Sequence, residues 1–252
     1  VTAIEKRAHP NGREVLSVVI ENDYADEVHP SIEPKRLEDL SPADLVTWIR
    51  EAGIVGMGGG GFPTHIKLTP PAGVTLDAVL LNGAECEPYL TTDHRIMVEW
   101  AQDVVLGLKC LMKATGVARG FIGIELNKQD AIAELRGAIA NDPNIRIVPL
   151  AVNYPQGPEQ QLIAACLGRR VPKGKRPVHI GVIVNNVHTA QAIAASLRTG
   201  WPSIERVVTV DGACVERPGN VLVRIGTTFG DILAARGLVG EPHKLLSGGP
   251  MM

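Results

Sequence analysis

Asp77-Ala78-Val79-Leu80-Leu81-Asn82-Gly83-Ala84-Glu85-Cys86-Glu87-Pro88-Tyr89 is the stretch on which the fold turns. Residues 78–81 form an unbroken apolar run, the pattern of a strand buried on both faces. Asn82-Gly83 alone would suggest a hairpin turn, but no second strand follows within reach. A helical period comes next instead, with Met97, Ala101, Val104, Val105, Leu108, Leu111 and Met112 on one face and Gly116 as its stop. The alternation then repeats. Strands are expected at 121–125, 145–150 and 179–184. Asn127 is expected to cap a second helix carrying Ile132, Leu135 and Ile139; Gly157-Pro158 opens a third, and 189–197 forms a fourth. Strand–helix alternation of this kind implies an α/β fold, a Rossmann-like parallel sheet with crossover helices. Ligands on such sheets bind outside the carboxyl ends of the strands.

The flanks read differently. Residues 1–4 and 15–20 alternate as short strands about a turn at His9-Pro10-Asn11-Gly12, and 21–34 is a polar, proline-bearing linker. Ser41-Pro42-Ala43-Asp44 starts a helix with Ser as N-cap and Pro at its first position, and Gly53 ends it. After Trp201-Pro202, strands at 206–210 and 221–225 about Asp211-Gly212, then a helix at 228–236, make a small α+β module of β-grasp type. The expected division is 1–34, 35–200 and 201–252.

Composition excludes several classes. Lys and Arg number 25 against 27 Asp and Glu, which is not the basic stripe of a nucleic-acid binder. Mean hydropathy is +0.09 with no apolar run of spanning length, so no membrane span is expected. The 45% apolar content supports a packed core, and it must be aliphatic because only 3 Trp, 3 Tyr and 3 Phe are present. The 4 cysteines, Cys86, Cys110, Cys166 and Cys214, lie far apart with no C-x-x-C. That spacing matches neither an iron–sulfur nor a zinc site, and a reducing compartment is expected. The chain opens on Val1 and closes on Ser247-Gly248-Gly249-Pro250-Met251-Met252 without a signal pattern, and is read as a piece of something longer.

Four loops carry ligand-type chemistry. Gly56-Met57-Gly58-Gly59-Gly60-Gly61-Phe62-Pro63-Thr64, with Lys67 shortly after, exposes backbone N–H groups and permits positive φ. It can wrap a phosphate or approach a flat ring, with Lys67 as a point charge, or it is a flexible surface turn. It is neither a Walker A loop nor the dinucleotide fingerprint. Asn82, Glu85 and Glu87, at a strand's end, suit the edge of a heterocycle or ribose hydroxyls; the alternatives are a solvated loop or an acid–base pair. Tyr154-Pro155-Gln156-Gly157-Pro158-Glu159 opens a helix whose free N–H groups favour an anion, or it is ordinary capping. Val184-Asn185-Asn186-Val187-His188-Thr189 offers two amides at a strand end, or a helix N-cap. The scattered histidines show no ligand spacing, and no nucleophile elbow exists. Without a general acid–base set, such a site suits a cofactor that brings its own chemistry.

In order and spacing these loops resemble the flavin-bearing, NADH-binding subunits of respiratory complex I. They resemble still more the RnfC subunits of Rnf-type ion-translocating ferredoxin:NAD oxidoreductases. The resemblance runs from Gly53-Ile54-Val55-Gly56-Met57-Gly58-Gly59 to Lys67, then through Asn82–Tyr89, Tyr154-Pro155-Gln156-Gly157, 184–189 and the closing 247–252. It implies FMN as cofactor with NAD(H) as substrate stacked over it. The implied FMN residues are Gly58, Gly59, Gly60, Gly61, Lys67, Asn82, Glu85, Cys86, Tyr154, Gly157, Glu159, Asn185, Asn186 and Thr189. Phe62, Lys67 and Glu87 are implied for NADH. Met57 stands where complex I has a basic residue, Gly60 where alanine is usual, and Ala84 and Pro158 where it has acidic ones.

The resemblance further implies two 4Fe-4S clusters in the full-length protein beyond residue 252, and the back half of a barrel-sandwich domain at the N-terminus. It implies a soluble-ligand-binding β-grasp domain at the C-terminus. Expected partners are the other subunits of a membrane-bound complex and ferredoxin or an iron–sulfur subunit, with the chain peripheral on the cytoplasmic side. A cobalamin-reductase-type paralogue or a non-catalytic scaffold are the alternatives. The strands ahead of the glycine loop favour the RnfC type.

Overall fold

The computed structural model describes residues 1–9 and 12–251. Pro10 and Asn11 of the expected N-terminal turn, and Met252, lie outside the described residues.

The chain begins with a hairpin, β1 (Ala3–Ala8) antiparallel to β2 (Glu14–Val19). It then crosses an extended segment to α1 (Pro42–Glu51). Ser41 and Asp44 form a reciprocal capping box: Asp44 N–H donates to Ser41 Oγ at 3.2 Å and Ser41 N–H to Asp44 Oδ2 at 3.0 Å. A short α2 (Thr64–Lys67) follows the glycine loop and leads to β3 (Ala78–Gly83). Where one long helix was expected there are two, α3 (Thr92–Glu99) and α4 (Ala101–Thr115). They break at Trp100, whose φ of −126° and ψ of 38° lie outside the helical region. The stop at Gly116 is as expected, in the left-handed region at φ 68°.

Next come β4 (Gly120–Glu125), α5 (Gln129–Ile139), β5 (Ile145–Leu150) and α6 (Glu159–Leu167). Lys128, not Asn127, is the cap of α5. The strand expected at 179–184 starts later. Pro177 opens a 3-10 turn closed by Gly181, so β6 is Val182–Asn186, and α7 (Val187–Thr199) springs directly from it. The C-terminal part contains antiparallel β7 (Glu205–Val210) and β8 (Gly219–Arg224), then α8 (Phe229–Arg236).

Four strands form the central parallel sheet in the order β5-β4-β3-β6. Because strand side chains alternate between faces, Val79 and Leu81 enter a core with α1, α3, α4, α5 and α7, while Ala78 and Leu80 enter a second core with Leu162 and Ile163 of α6. Helices therefore cover both faces of the sheet. β7 and β8 dock beside the start of α3, where Thr92 Oγ1 and Thr209 Oγ1 are 2.8 Å apart and Asn220 Nδ2 donates to Thr91 Oγ1 at 2.9 Å. No helix among the described residues is long and apolar enough to cross a membrane.

Candidate functional site

The order β5-β4-β3-β6 reverses direction between β3 and β6: the chain winds outward from β3 to β4 and β5, then returns to lay β6 on β3's other side. At such a switch point the connections leave the strand ends in opposite directions and open a crevice. Three of the loops singled out in the sequence are anchored there. The Asn82–Glu87 loop leaves β3, the amides Asn185 and Asn186 end β6, and Gly157, just ahead of α6, is tied to Asn82.

The glycine loop comes to the same place from α1. It is not a loose tether. Gly56 N–H donates to Phe62 O at 2.8 Å, Gly61 N–H to Gly56 O at 3.1 Å, and Val55 bridges Pro63, so the loop is pinched at its base. Gly59 at φ 100° and Gly61 at φ 57° adopt conformations that side chains disfavour. The loop is docked on the start of α7: Met57 N–H donates to the Thr189 hydroxyl at 2.9 Å, and a Cβ at Gly58 would lie 3.4 Å from that of Asn186. Gly60 and Gly61 face open space.

Lys67, from α2, reaches between the sheet and α6, donating to Val184 O at 2.7 Å and Glu159 Oε1 at 2.8 Å. Asn82 bridges two loops. Its Nδ2 donates to Gly157 O at 2.9 Å while its Oδ1 accepts from Ala84 N–H at 3.0 Å. Gly157 N–H points to Cys86 Sγ at 3.4 Å, and a Cβ on Gly157 would lie 3.2 Å from Ala84 O, so the two loops approach closely there. Phe62 and Tyr154 stand exposed at the rim.

Glu85 already has partners of its own. Its carboxylate accepts from Asp93 N–H at 2.8 Å and His94 N–H at 3.2 Å, capping α3, and burial holds its pKa above the usual carboxylate range. Glu87 likewise has a partner already, accepting from Met251 N–H at 2.7 Å. Two more residues matter: Asp93, which the sequence did not single out, and Thr64, the last residue of the quoted glycine stretch. Asp93 Oδ2 accepts from Asn186 Nδ2 at 2.6 Å, and burial, with the Glu85 charge beside it, pushes its carboxyl up to about 7. Thr64 is buried at the head of α2. Asn186 also accepts from His188 N–H at 2.8 Å, making it strand end and helix N-cap at once. Burial drives the His188 imidazole down to about 3, so it is neutral.

Among the described residues, few buried side-chain polar atoms are without a hydrogen-bond partner, and two of them, Asn185 Nδ2 and Thr64 Oγ1, belong to residues of β6 and the glycine-loop helix. A buried amide without a partner costs about 1–3 kcal/mol. At Asn185, at the end of a switch-point strand, that cost is what a site built for a polar ligand carries until the ligand supplies the acceptor. The glycine loop supplies free backbone N–H groups, the three strand-end loops supply amides, and Lys67 supplies a cation. This set fits a flat heterocycle with a phosphate tail.

Comparison with known proteins gives the family and the fold. The Nuo51 FMN-binding domain matches residues 49–195, and the SLBB domain matches residues 207–252. The chain is 49% identical to the C subunit of the Na(+)-translocating ferredoxin:NAD(+) oxidoreductase complex of Acetobacterium woodii, over 100% of this chain and 57% of that protein. It is 45% identical to the C subunit of the proton-translocating ferredoxin:NAD(+) oxidoreductase complex of Clostridium ljungdahlii, over 97% of this chain and 54% of that protein. The C subunit of the ion-translocating oxidoreductase complex of Rhodobacter capsulatus is 39% identical over 97% of this chain and 47% of its own length. The chain thus spans about half the length of these relatives. A crystal structure of an NAD+-reducing NiFe-hydrogenase in the air-oxidized state superposes with a TM-score of 0.68 at 23% identity, covering 79% of this chain and 40% of that one. At that identity the likeness concerns the fold. The family match covers the α/β layer with all four switch-point loops and more than half the chain: this protein belongs to the Nuo51 FMN-binding-domain family.

Proposed function

We propose that the chain binds FMN across the β3/β6 crevice and receives NAD(H) against it, as the flavin-bearing part of an ion-translocating ferredoxin:NAD oxidoreductase. The observation that carries this reading is Asn185 Nδ2, buried and without a partner at the carboxyl end of β6. Identity along nearly all of this chain to the C subunits of ferredoxin:NAD(+) oxidoreductase complexes from two organisms supports the same activity.

The geometry supports the following roles. Gly58, Gly59 and Gly60 offer backbone N–H groups to a phosphate, and Gly61, whose own N–H is taken by Gly56 O, lets a ring approach the main chain. Lys67, held by Val184 O and Glu159, sets a positive charge beside the sheet end. Asn82, Cys86 and Gly157 form one wall, tied together by their own contacts, with Tyr154 at its edge. Asn185, Asn186 and Thr189 form the opposite wall, and Glu85 holds the first wall to α3. Phe62, Lys67 and Glu87 take the nicotinamide nucleotide, Phe62 by stacking. When bound, FMN supplies hydride exchange with the nicotinamide and single-electron exchange with iron–sulfur centres.

In this reading 35–200 is the flavin domain, 1–34 contributes barrel-sandwich strands and 201–252 a β-grasp module of the SLBB kind. The two 4Fe-4S clusters belong to the remainder of the full-length protein. Its partners are the other subunits of the membrane complex, with ferredoxin or an iron–sulfur subunit as electron partner, and its position is peripheral on the cytoplasmic side. The test is quenching of FMN fluorescence on titration with the chain. Wild type should quench stoichiometrically, and Asn185→Leu should weaken binding about tenfold, the loss of one buried hydrogen bond. Absence of quenching by wild type refutes the reading.

A further inference from the structure

Asp93 has no assigned role in the site, yet it is the group that holds one wall of it. Asn186 is gripped at both ends of its amide: Oδ1 accepts from His188 N–H at 2.8 Å, and Nδ2 donates to Asp93 Oδ2 at 2.6 Å. On the outer side of the same residue sits the glycine loop, with Gly58 against its side chain and Met57 N–H on Thr189 one helical turn along. Any change in the Asn186 rotamer therefore moves the floor under Gly58.

We propose that Asp93 is a positioning residue for the cofactor site: as a carboxylate it fixes the Asn186 amide beneath the glycine loop, and on taking up a proton it loosens that grip.

The surroundings make the charge state adjustable. Glu85, whose carboxylate caps the N–H of Asp93 itself, is a second acid beside it and opposes its ionisation. Lys128 and Arg206, from the segment before α5 and from β7, favour ionisation. Lys128 is already paired with Glu125 at 2.6 Å, so its charge is largely spent. His94, on the same helix as Asp93, faces Asp130 at 2.8 Å and favours the charge on Glu85. His188 of α7 is buried and neutral. Two buried acids against partly committed cations leave Asp93 poised between its two forms near neutrality.

This inference rests on the flavin reading, and the experiment separates the two. FMN affinity of the 252-residue chain is measured by fluorescence quenching from pH 6 to pH 8 for wild type, Asp93→Asn and Asp93→Ala, with thermal unfolding of each as control. Asp93→Asn keeps an oxygen to accept from Asn186 but cannot titrate. It should bind FMN within about threefold of wild type at pH 8, where the ordinary carboxylate interaction is replaced by a neutral one. Wild-type affinity should fall more than Asp93→Asn affinity as the pH drops to 6. Titration of the FMN phosphate is common to both proteins and cancels in the comparison. Asp93→Ala should lose about tenfold in affinity throughout. Parallel pH profiles for wild type and Asp93→Asn overturn the proposal, as does an Asp93→Ala variant that binds like wild type. If Asp93→Ala does not fold, the Asp93→Asn profile alone decides. Failure of wild type to bind FMN at any pH refutes the flavin reading, and this inference with it.

Discussion

Gly107 in the middle of α4 should be irreplaceable, against its own helix propensity. An alanine in a helix interior is ordinarily better than glycine by about 1 kcal/mol. Here a Cβ would lie 1.9 Å from the carbonyl oxygen of Ala190 in α7, 2.4 Å from its carbonyl carbon and 2.8 Å from its Cα. All three are backbone atoms, so no rotamer change relieves the clash, and the two helices must separate. Overpacking of this severity costs about 3 kcal/mol, leaving a net loss of about 2 kcal/mol after the propensity gain. For a chain of this length that is a fall in Tm of about 4–8 °C. Because α7 begins with the residues that hold Met57 and Gly58, the separation should also weaken FMN binding. Differential scanning calorimetry of Gly107→Ala beside wild type measures the first effect, and fluorescence titration the second. A Tm equal to or above that of wild type would refute the packing argument.

Two further outcomes follow from buried or crowded groups. Asp93 has a folded-state pKa of about 7, above its unfolded value, so between the two the folded chain keeps a proton that the unfolded chain has lost. Stability should therefore decline as pH rises through that window; the decline should be shallower in Asp93→Asn, and superposable Tm-versus-pH curves would contradict it. At Gly249 a Cβ would come within 2.0 Å of Glu87 Oε1, so Gly249→Ala must displace the Glu87 side chain and its bond to Met251 N–H. The NADH KM of the FMN-loaded chain should rise roughly threefold or more, the equivalent of one hydrogen bond, with FMN affinity unchanged. An unaltered KM would show that Glu87 does not face the nucleotide.

Much of the fold was legible because apolar runs and helical periods mark elements directly. The run at 78–81 becomes the centre of the sheet, and its alternating side chains divide between two cores. Periodicity says nothing of which strands are neighbours, so the return of β6 to the side of β3, and with it the switch-point crevice, emerges only in three dimensions. Local signals misled where two patterns competed. The apolar face from Met97 to Met112 is continuous in sequence, yet the backbone leaves the helical region at Trp100, whose partly buried side chain packs against the core. His179 and Ile180 looked like strand residues, but Pro177 and Gly181 bracket them in a 3-10 turn.

In the candidate site, the loops were visible as composition: glycines, amides and a lysine at strand ends. Which atoms face inward was not. Glu85 reads as a ligand group beside Asn82, and its bonds to the N–H groups at the start of α3 were not foreseeable. Asp93 reads as an ordinary acid in a helix's first turn, and its bond to Asn186 depends on a strand 93 residues away in sequence. Asn185 could be named from its place after an apolar run, but only burial reveals that its Nδ2 has no partner.

The most direct test is an anaerobic titration of the FMN-loaded chain with NADH, followed by the visible absorbance of the flavin. The expected result is that the chain takes up one FMN and that NADH bleaches its yellow absorbance. A chain that stays colourless after incubation with FMN, or one whose bound flavin NADH leaves oxidised, would contradict it.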